Sequence, residues 1–297
     1  MKRLRFKKLD AFATAISGGN PAAAVYLDSI QVLNEAEMQR VARELKGWVS
    51  EVGFLAPLAA DTFQMRYFSS EKEVAFCGHA TIAILFDRVQ SDPALADVPL
   101  LRLHTSRGVL SVENRLQAEG AVYVQAPAPI FTECRLGLPE ICRALDIPQA
   151  AVDPGVPLGI VDAGNRTLCL ALNNLADVLS ATPDLRALQV FCAASELDVI
   201  TIFTRATVDP SNRLRTRVFA APFGYLEDPA TGSGNAALGY HLQRLGLWDG
   251  EPIRIEQNGS RECFNLVRLA STRDPDFRVS FGGGALLRAE GEYCLQA

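Results

Sequence analysis

The sequence contains few histidines and no paired cysteine motif. Its three histidines, His79, His104 and His241, form no H-E-x-x-H or similar ligand pair. The seven cysteines are odd in number and include no C-x-x-C pair, so neither a zinc site nor a disulfide framework is expected. We therefore predict no bound metal, and reduced thiols that lie mostly in the core of a cytoplasmic protein.

Long apolar runs and an excess of basic residues are also missing. No stretch of about 18 apolar residues is present, and the basic N-terminus lacks the apolar region of a secretory signal, so no membrane association is expected. Lys and Arg total 29 against 34 Asp and Glu, which gives a net charge of −5. Because nucleic-acid binding needs a basic surface, nucleic acid is not an expected partner.

The 297 residues, 48% of them hydrophobic, suit a globular protein of two domains. A weak internal repeat supports this division. The matching segments are, in order, Gly19-Asn20 with Gly164-Asn165, Arg66–Phe68 with Arg217–Phe219, and Gly78 with Gly232. We predict an N-terminal half of residues 1–125, closed by a C-terminal strand at about 278–297, and a C-terminal half of residues 126–277, with the active site in the cleft between the halves.

Both halves show strand patterns around one apolar helix. Strands are predicted at residues 4–12, 23–27, 49–55, 62–68, 199–204 and 213–220. Helices are predicted at residues 34–45, 81–89, 184–194 and 235–245, the first with a capping box of Asn34 and Glu37 and the last ended by Gly246. The helices at 81–89 and 235–245 are apolar nearly all round, which is typical of buried helices. The predicted fold class is α+β, with two similar halves, each a mostly antiparallel sheet rolled around a central apolar helix.

Each apolar helix is preceded by small residues. These segments are Cys77-Gly78-His79 and Thr231-Gly232-Ser233-Gly234. Small residues allow a ligand to approach the unpaired N–H groups of a first helical turn, where the helix dipole favours an anion. The presence of two matched turns therefore favours a small carboxylate as the ligand. The alternative is that the glycines serve only to permit tight turns between strand and helix. Neither segment is a P-loop or a G-x-G-x-x-G motif, so no nucleotide cofactor is expected.

Candidate acid–base residues lie close to these turns. Glu51 lies among apolar residues, and desolvation there would raise the pKa of its carboxyl group towards the range needed for proton transfer. The alternative, which the sequence pattern alone favours, is that Glu51 is a solvent-facing strand residue. Asp228 precedes Pro229 and is either a functional group or a helix cap. His79 lies at a helix start, where the dipole opposes imidazolium, so a neutral ring is expected. Cys77 is expected to be a small buried residue.

Four segments occur in a characteristic order: Gly18–Ala23, Ser50-Glu51, Cys77–Thr81 and Glu227–Ser233. Over nearly the whole chain, from about residue 4 to the strand at Phe281, the sequence resembles the PhzF-like phenazine-biosynthesis isomerase family, which has the diaminopimelate epimerase-like fold. The resemblance implies cofactor-independent isomerisation of a small carboxylic acid, such as a dihydro-hydroxyanthranilate, by a homodimer.

The resemblance also implies roles for individual residues. The catalytic residues would be Glu51, His79 and Asp228, with Glu51 shuttling a proton between carbons. The substrate-binding residues would be Asn20, Gly78, Gly232, Ser233 and Gly234.

Other classes of function stay open at this stage. An amino-acid epimerase or racemase of the related type uses two cysteines, whereas the segment Asp228-Pro229-Ala230 offers no second cysteine to pair with Cys77. A non-catalytic protein that binds small anions gains nothing from the negative charge of Glu51. Ordinary surface composition gives no support to a scaffold role.

Overall fold

A computed structural model describes residues 1–272 and 277–296. The chain divides into two compact units, which we call unit 1 (Met1–Gln125 with Gly282–Ala297) and unit 2 (Ala126–Phe281). Residues 273–276 of the predicted C-terminal half and residue 297 of the predicted closing strand lie outside the described residues.

The secondary structure mixes strands and helices in both units. The strands are β1 (Lys2–Ala11), β2 (Asn20–Tyr26), β3 (Glu51–Ala59), β4 (Thr62–Ser69), β5 (Glu73–Val74), β6 (Leu100–Thr105), β7 (Gly108–Arg115), β8 (Ala121–Gln125), β9 (Ile130–Thr132), β10 (Gly159–Asp162), β11 (Arg166–Ala171), β12 (Val199–Thr204), β13 (Leu214–Phe219), β14 (Glu227–Asp228), β15 (Ile253–Gln257), β16 (Asn265–Thr272), β17 (Arg278–Gly283) and β18 (Ala285–Leu295). The α-helices are α1 (Glu35–Glu44), α2 (Gly78–Ser91), α3 (Leu116–Glu119), α4 (Leu138–Leu145), α5 (Leu175–Ser180), α6 (Leu185–Ser195) and α7 (Gly232–Arg244). None of these helices is long and apolar enough to cross a membrane.

The two units share one strand-pairing pattern. In unit 1, β2 is parallel to β3, β3 is antiparallel to β4, and β4 pairs antiparallel with β5 and parallel with β6. In unit 2, β11 to β15 repeat these pairings in the same order. Antiparallel pairs β6–β7 and β15–β16 follow. The fold is α+β with mostly antiparallel pairing, as predicted, and the parallel pairs flank the central hairpin of each unit.

The two central apolar helices are confirmed as α2 and α7, which are buried on nearly every side. Helix α2 packs on β1, β2, β3, β8 and β18 of unit 1, and α7 packs on β10, β11, β12 and β16 of unit 2. Both helices begin about one turn earlier than predicted, at Gly78 and Gly232. The reason is that Cys77 and Thr231 have the extended backbone of a helix N-cap, so the small residues lie within the first turn.

Several other local predictions are confirmed. Asn34 and Glu37 form the capping box of α1, with both hydrogen bonds at 2.9 Å. Strand β12 has the predicted bounds, and Gly246 follows α7 with a positive φ of 69°. The short helices α4 and α5 were not predicted, and their apolar residues join the core of unit 2.

Each unit holds the short strand before its central helix with a bidentate ion pair. Arg66 donates two hydrogen bonds to Glu73, both at 2.7 Å, and thereby links β4 to β5. Arg217 donates to Glu227 at 3.0 and 2.7 Å and links β13 to β14. Each guanidinium also lies over the ring of the phenylalanine two positions further along, 5.2 and 4.9 Å from its centroid. The repeated Arg-x-Phe segment thus performs the same structural task in both units.

Helix α2 is also anchored by a buried charge. Lys7 Nζ of β1 donates to the Asp87 carboxylate at 2.8 and 2.9 Å, and the Tyr26 hydroxyl of β2 donates to it at 2.5 Å. The side chains of Lys7 and Asp87 are only 6% and 10% exposed. Because a buried carboxylate is tolerated only with such partners, these contacts fix the helix against β1 and β2.

We expect Asp87→Asn to lower the free energy of unfolding by about 3 kcal/mol, because it leaves the Lys7 ammonium buried without its main counterion. Glu292→Gln is the matched control, since the Arg3–Glu292 pair is exposed and is worth less than about 1 kcal/mol. Urea unfolding followed by circular dichroism measures both. Equal effects of the two substitutions would contradict the anchoring role of Asp87.

Candidate active site

Glu51 is placed by the strands around it. It is the first residue of β3, opposite Ser69 of β4 and beside Ala22 of the parallel strand β2. The preceding N–H group, from Ser50, donates to the Pro21 carbonyl at 3.2 Å and fixes the entry of the chain into β3. The carboxylate therefore stands at one end of a rigid sheet, and 22% of its side-chain surface is exposed.

The carboxylate, an imidazole and a thiol lie together in unit 1. His79 is the second residue of α2, and its Nε2 is 3.2 Å from Oε2 of Glu51. Cys77, the N-cap of α2, is buried, with its Sγ 3.4 Å from Nδ1 of His79. The structure thus brings together two predicted catalytic residues, Glu51 and His79, and adds Cys77, which was expected to be structural. These three side chains also provide the donor types of a metal site.

One oxygen of Glu51 is buried without a hydrogen bond. Oε2 lies at ion-pair distance from His79 Nε2, and no described residue makes a hydrogen bond to it. Both oxygens of Glu73, in contrast, accept from Arg66. A buried polar atom left unpaired is unfavourable and is rare in structural positions. This oxygen is therefore available to a ligand or to a proton.

The charges in this cluster shift the pKa of His79 upward. Burial lowers the pKa of the imidazole, but the neighbouring Cys77 and Glu51 raise it more, so the pKa lies well above its usual value. Burial raises the pKa of the Cys77 thiol, which is therefore neutral near pH 7. The direction of this pKa shift is opposite to the neutral ring that the helix dipole alone predicts, because Cys77 and Glu51 both lie beside the imidazole.

In unit 2 the matching position carries different chemistry. Ser233 is the second residue of α7, and its Oγ accepts a hydrogen bond from Asn165 Nδ2 at 2.9 Å. Asp228 of β14 accepts one from the hydroxyl of Thr231, the N-cap of α7, at 2.5 Å. Asn165 was noted only as part of the internal repeat, and its bond to Ser233 marks it as part of this group.

Gln257 was missed by the sequence analysis. Its Oε1 accepts from Thr231 N at 2.9 Å and from Asn235 Nδ2 at 2.7 Å, and its Nε2 donates to the Asp228 carbonyl at 2.8 Å. Two of these bonds hold the backbone before α7, and the third holds the side chain of Asn235 in its first turn. A glutamine at the end of a short strand gives no sequence signal of this role, because its partners lie more than twenty positions away.

Gly232 and Gly234, two of the predicted substrate-binding residues, lie where the surrounding side chains leave little room for a Cβ atom. A Cβ at Gly232 would lie 2.3 Å from the Phe281 ring, and one at Gly234 would lie 3.2 Å from Val218 Cγ1. Packing therefore requires glycine at Gly232, whereas a side chain at Gly234 needs Val218 to shift by a few tenths of an ångström. Asn20, at the start of β2, is 2% exposed.

Comparisons with known proteins agree with this fold. The chain matches the family model described as phenazine biosynthesis-like protein (PhzC-PhzF) over residues 9–291. It is 31% identical over 292 residues to the trans-2,3-dihydro-3-hydroxyanthranilate isomerase of Pseudomonas chlororaphis, covering 97% of this chain and 98% of the relative. It is 34% identical over 293 residues to the isomerase of the same name from Pseudomonas fluorescens, covering 97% and 98%.

A solved structure has the same fold. The phenazine biosynthesis protein of the PhzF family from Bacillus anthracis has a TM-score of 0.87 at 23% identity, covering 99% of this chain and all of its own. Together with the relatives, these findings define the protein as an isomerase. The chain belongs to the phenazine biosynthesis-like, or PhzF, family.

We expect Gly232→Ala to destabilise the protein by about 1–3 kcal/mol, because the added methyl group meets the Phe281 ring in a filled core. Gly18→Ala is the control, since a Cβ there meets nothing within 4 Å. Thermal unfolding of both variants tests this. Full stability of Gly232→Ala would mean that packing does not require this glycine.

Proposed function

We propose that the protein isomerises a small, cyclic carboxylic acid without a cofactor, and that Glu51 moves a proton between two carbons of the substrate. The observation that carries this proposal is the buried, unbonded Oε2 atom of Glu51 beside His79. The names of the two Pseudomonas relatives support a dihydro-hydroxyanthranilate as the substrate class.

The proposed reaction conserves every atom of the substrate. The ionised Glu51 removes a proton from one carbon, and the electron pair of that C–H bond moves into the conjugated system. The protonated Glu51 then returns the proton to a second carbon, so a double bond changes position and the carboxylate is regenerated. A single carboxyl group that is held in place suffices as base and then as acid.

His79 assists this transfer by its charge. Its Nε2 atom lies 3.2 Å from the Glu51 carboxylate. In the imidazolium form, the ring stabilises the negative charge that develops on the substrate when the proton leaves. Asp228 is the third proposed catalytic residue. Asn20, Gly78, Gly232, Ser233 and Gly234 are the proposed substrate-binding residues, of which the glycines expose the first N–H groups of helices α2 and α7.

We also propose that the protein is a homodimer in the cytoplasm and that it does not bind nucleic acid. The net charge of −5 is consistent with the last of these.

We expect Glu51→Gln to slow turnover by about 10²–10⁴-fold, because an amide cannot accept and return the proton. The measurement is carbon-bound deuterium by mass spectrometry, after incubation in deuterated water with trans-2,3-dihydro-3-hydroxyanthranilate and a panel of small cyclic acids. Glu71→Gln is the matched control, since the Glu71 side chain is 74% exposed on the same unit.

The two variants separate the proposed enzyme from an anion-binding protein. Loss of exchange in Glu51→Gln, with substrate affinity retained and normal exchange in Glu71→Gln, supports the proton shuttle. Exchange that survives in Glu51→Gln rules out Glu51 as the base. A ligand that raises the melting temperature without any exchange by the wild type indicates a binder.

A further inference from the structure

The side chains of Glu51, Cys77 and His79 have donor atoms that could bind a metal ion, which the proposed proton transfer does not require. Together they form a group that combines a carboxylate, a thiol and an imidazole, and the ligand atoms of all three lie within 4.8 Å of one another. Oxygen, sulfur and nitrogen donors of these kinds are the usual protein ligands of zinc. The spacings of the histidines and cysteines predicted no metal site, because Glu51 comes from a separate segment of the chain.

The distances within the group fit one small cation. His79 Nε2 is 3.2 Å from Glu51 Oε2 and 3.9 Å from Cys77 Sγ. In a tetrahedral zinc site, bonds of about 2.0–2.3 Å place neighbouring ligand atoms about 3.3–3.8 Å apart. Cys77 Sγ lies closer to Nδ1 of His79, at 3.4 Å, so the side chains of His79 and Cys77 must rotate before all three atoms enter one coordination sphere.

The ligand atoms are also available. The Oε2 atom of Glu51 is buried without a hydrogen bond, the Cys77 thiol gives up only its contact with the His79 ring, and the side chains of His79 and Glu51 keep 12% and 22% of their surface exposed. An ion can therefore reach the group. Three protein ligands with one open position is the arrangement of an accessible zinc site, in which water or a substrate group takes the fourth place.

We infer that Glu51, Cys77 and His79 form a reversible binding site for Zn²⁺, and that the ion inhibits the isomerase by occupying the Glu51 oxygen. Binding exchanges the thiol proton of Cys77, and the Nε2 proton of His79 when present, for the cation. No oxidant or reductant takes part. The ion is thus a competitor of the substrate and not a cofactor of the reaction.

The test uses the full chain after treatment with a chelator. Co²⁺ replaces zinc as the spectroscopic probe, because a cobalt–thiolate bond adds a charge-transfer band in the near ultraviolet. We expect one Co²⁺ per chain with this band, and displacement of the probe by Zn²⁺. In Cys77→Ser the band is lost and Zn²⁺ affinity falls at least about tenfold. Cys263→Ser, which removes an exposed thiol, keeps the band.

A second variant covers the case in which Cys77→Ser does not fold. Glu51→Gln is expected to keep the sulfur band and to bind Zn²⁺ at least about tenfold more weakly. No sulfur band in the wild type, a band unchanged in Cys77→Ser, or wild-type Zn²⁺ affinity in Glu51→Gln would overturn the inference. These readouts need no turnover, so failure of the zinc site is distinguishable from failure of the proposed reaction.

Discussion

The bidentate ion pair between Arg66 and Glu73 is the contact on which the site in unit 1 depends. It holds β5 against β4, and three residues after β5 the chain enters the first turn of α2. The same β4 strand ends opposite Glu51 in the register of the sheet. One strand therefore positions both the carboxylate and the helix that carries His79.

The two units use one scaffold for different chemistry. In unit 1 the first turn of the central helix carries a titratable imidazole beside Glu51, whereas in unit 2 it carries the neutral hydroxyl of Ser233, bonded to Asn165. The backbone before α7 is held by the amide of Gln257. Titratable groups suit proton transfer, and neutral donors and acceptors suit recognition. The duplication has thus kept the backbone pattern while the side chains at equivalent positions have diverged.

Local patterns were sufficient to predict much of the fold. The capping box at Asn34 and the all-round apolar character of the central helices depend on nearby residues, and both are confirmed. Glu51 and His79 were candidates from their sequence context, and the family resemblance implied their catalytic roles. Their proximity to each other was not visible in the spacing. The buried charge of Asp87 and the role of Gln257 were missed, because each depends on partners that are distant in sequence.

The central claim is that one carboxyl group both removes and returns the proton, and isotope transfer tests it most directly. A dihydro-hydroxyanthranilate that is deuterated at the carbon losing its proton is converted in ordinary water during a single turnover, and the product is examined by mass spectrometry. Since Glu51 Oε2 is buried, we expect part of the product to carry deuterium at the carbon that gains the proton. Product with hydrogen alone at that carbon would contradict a single shuttling group.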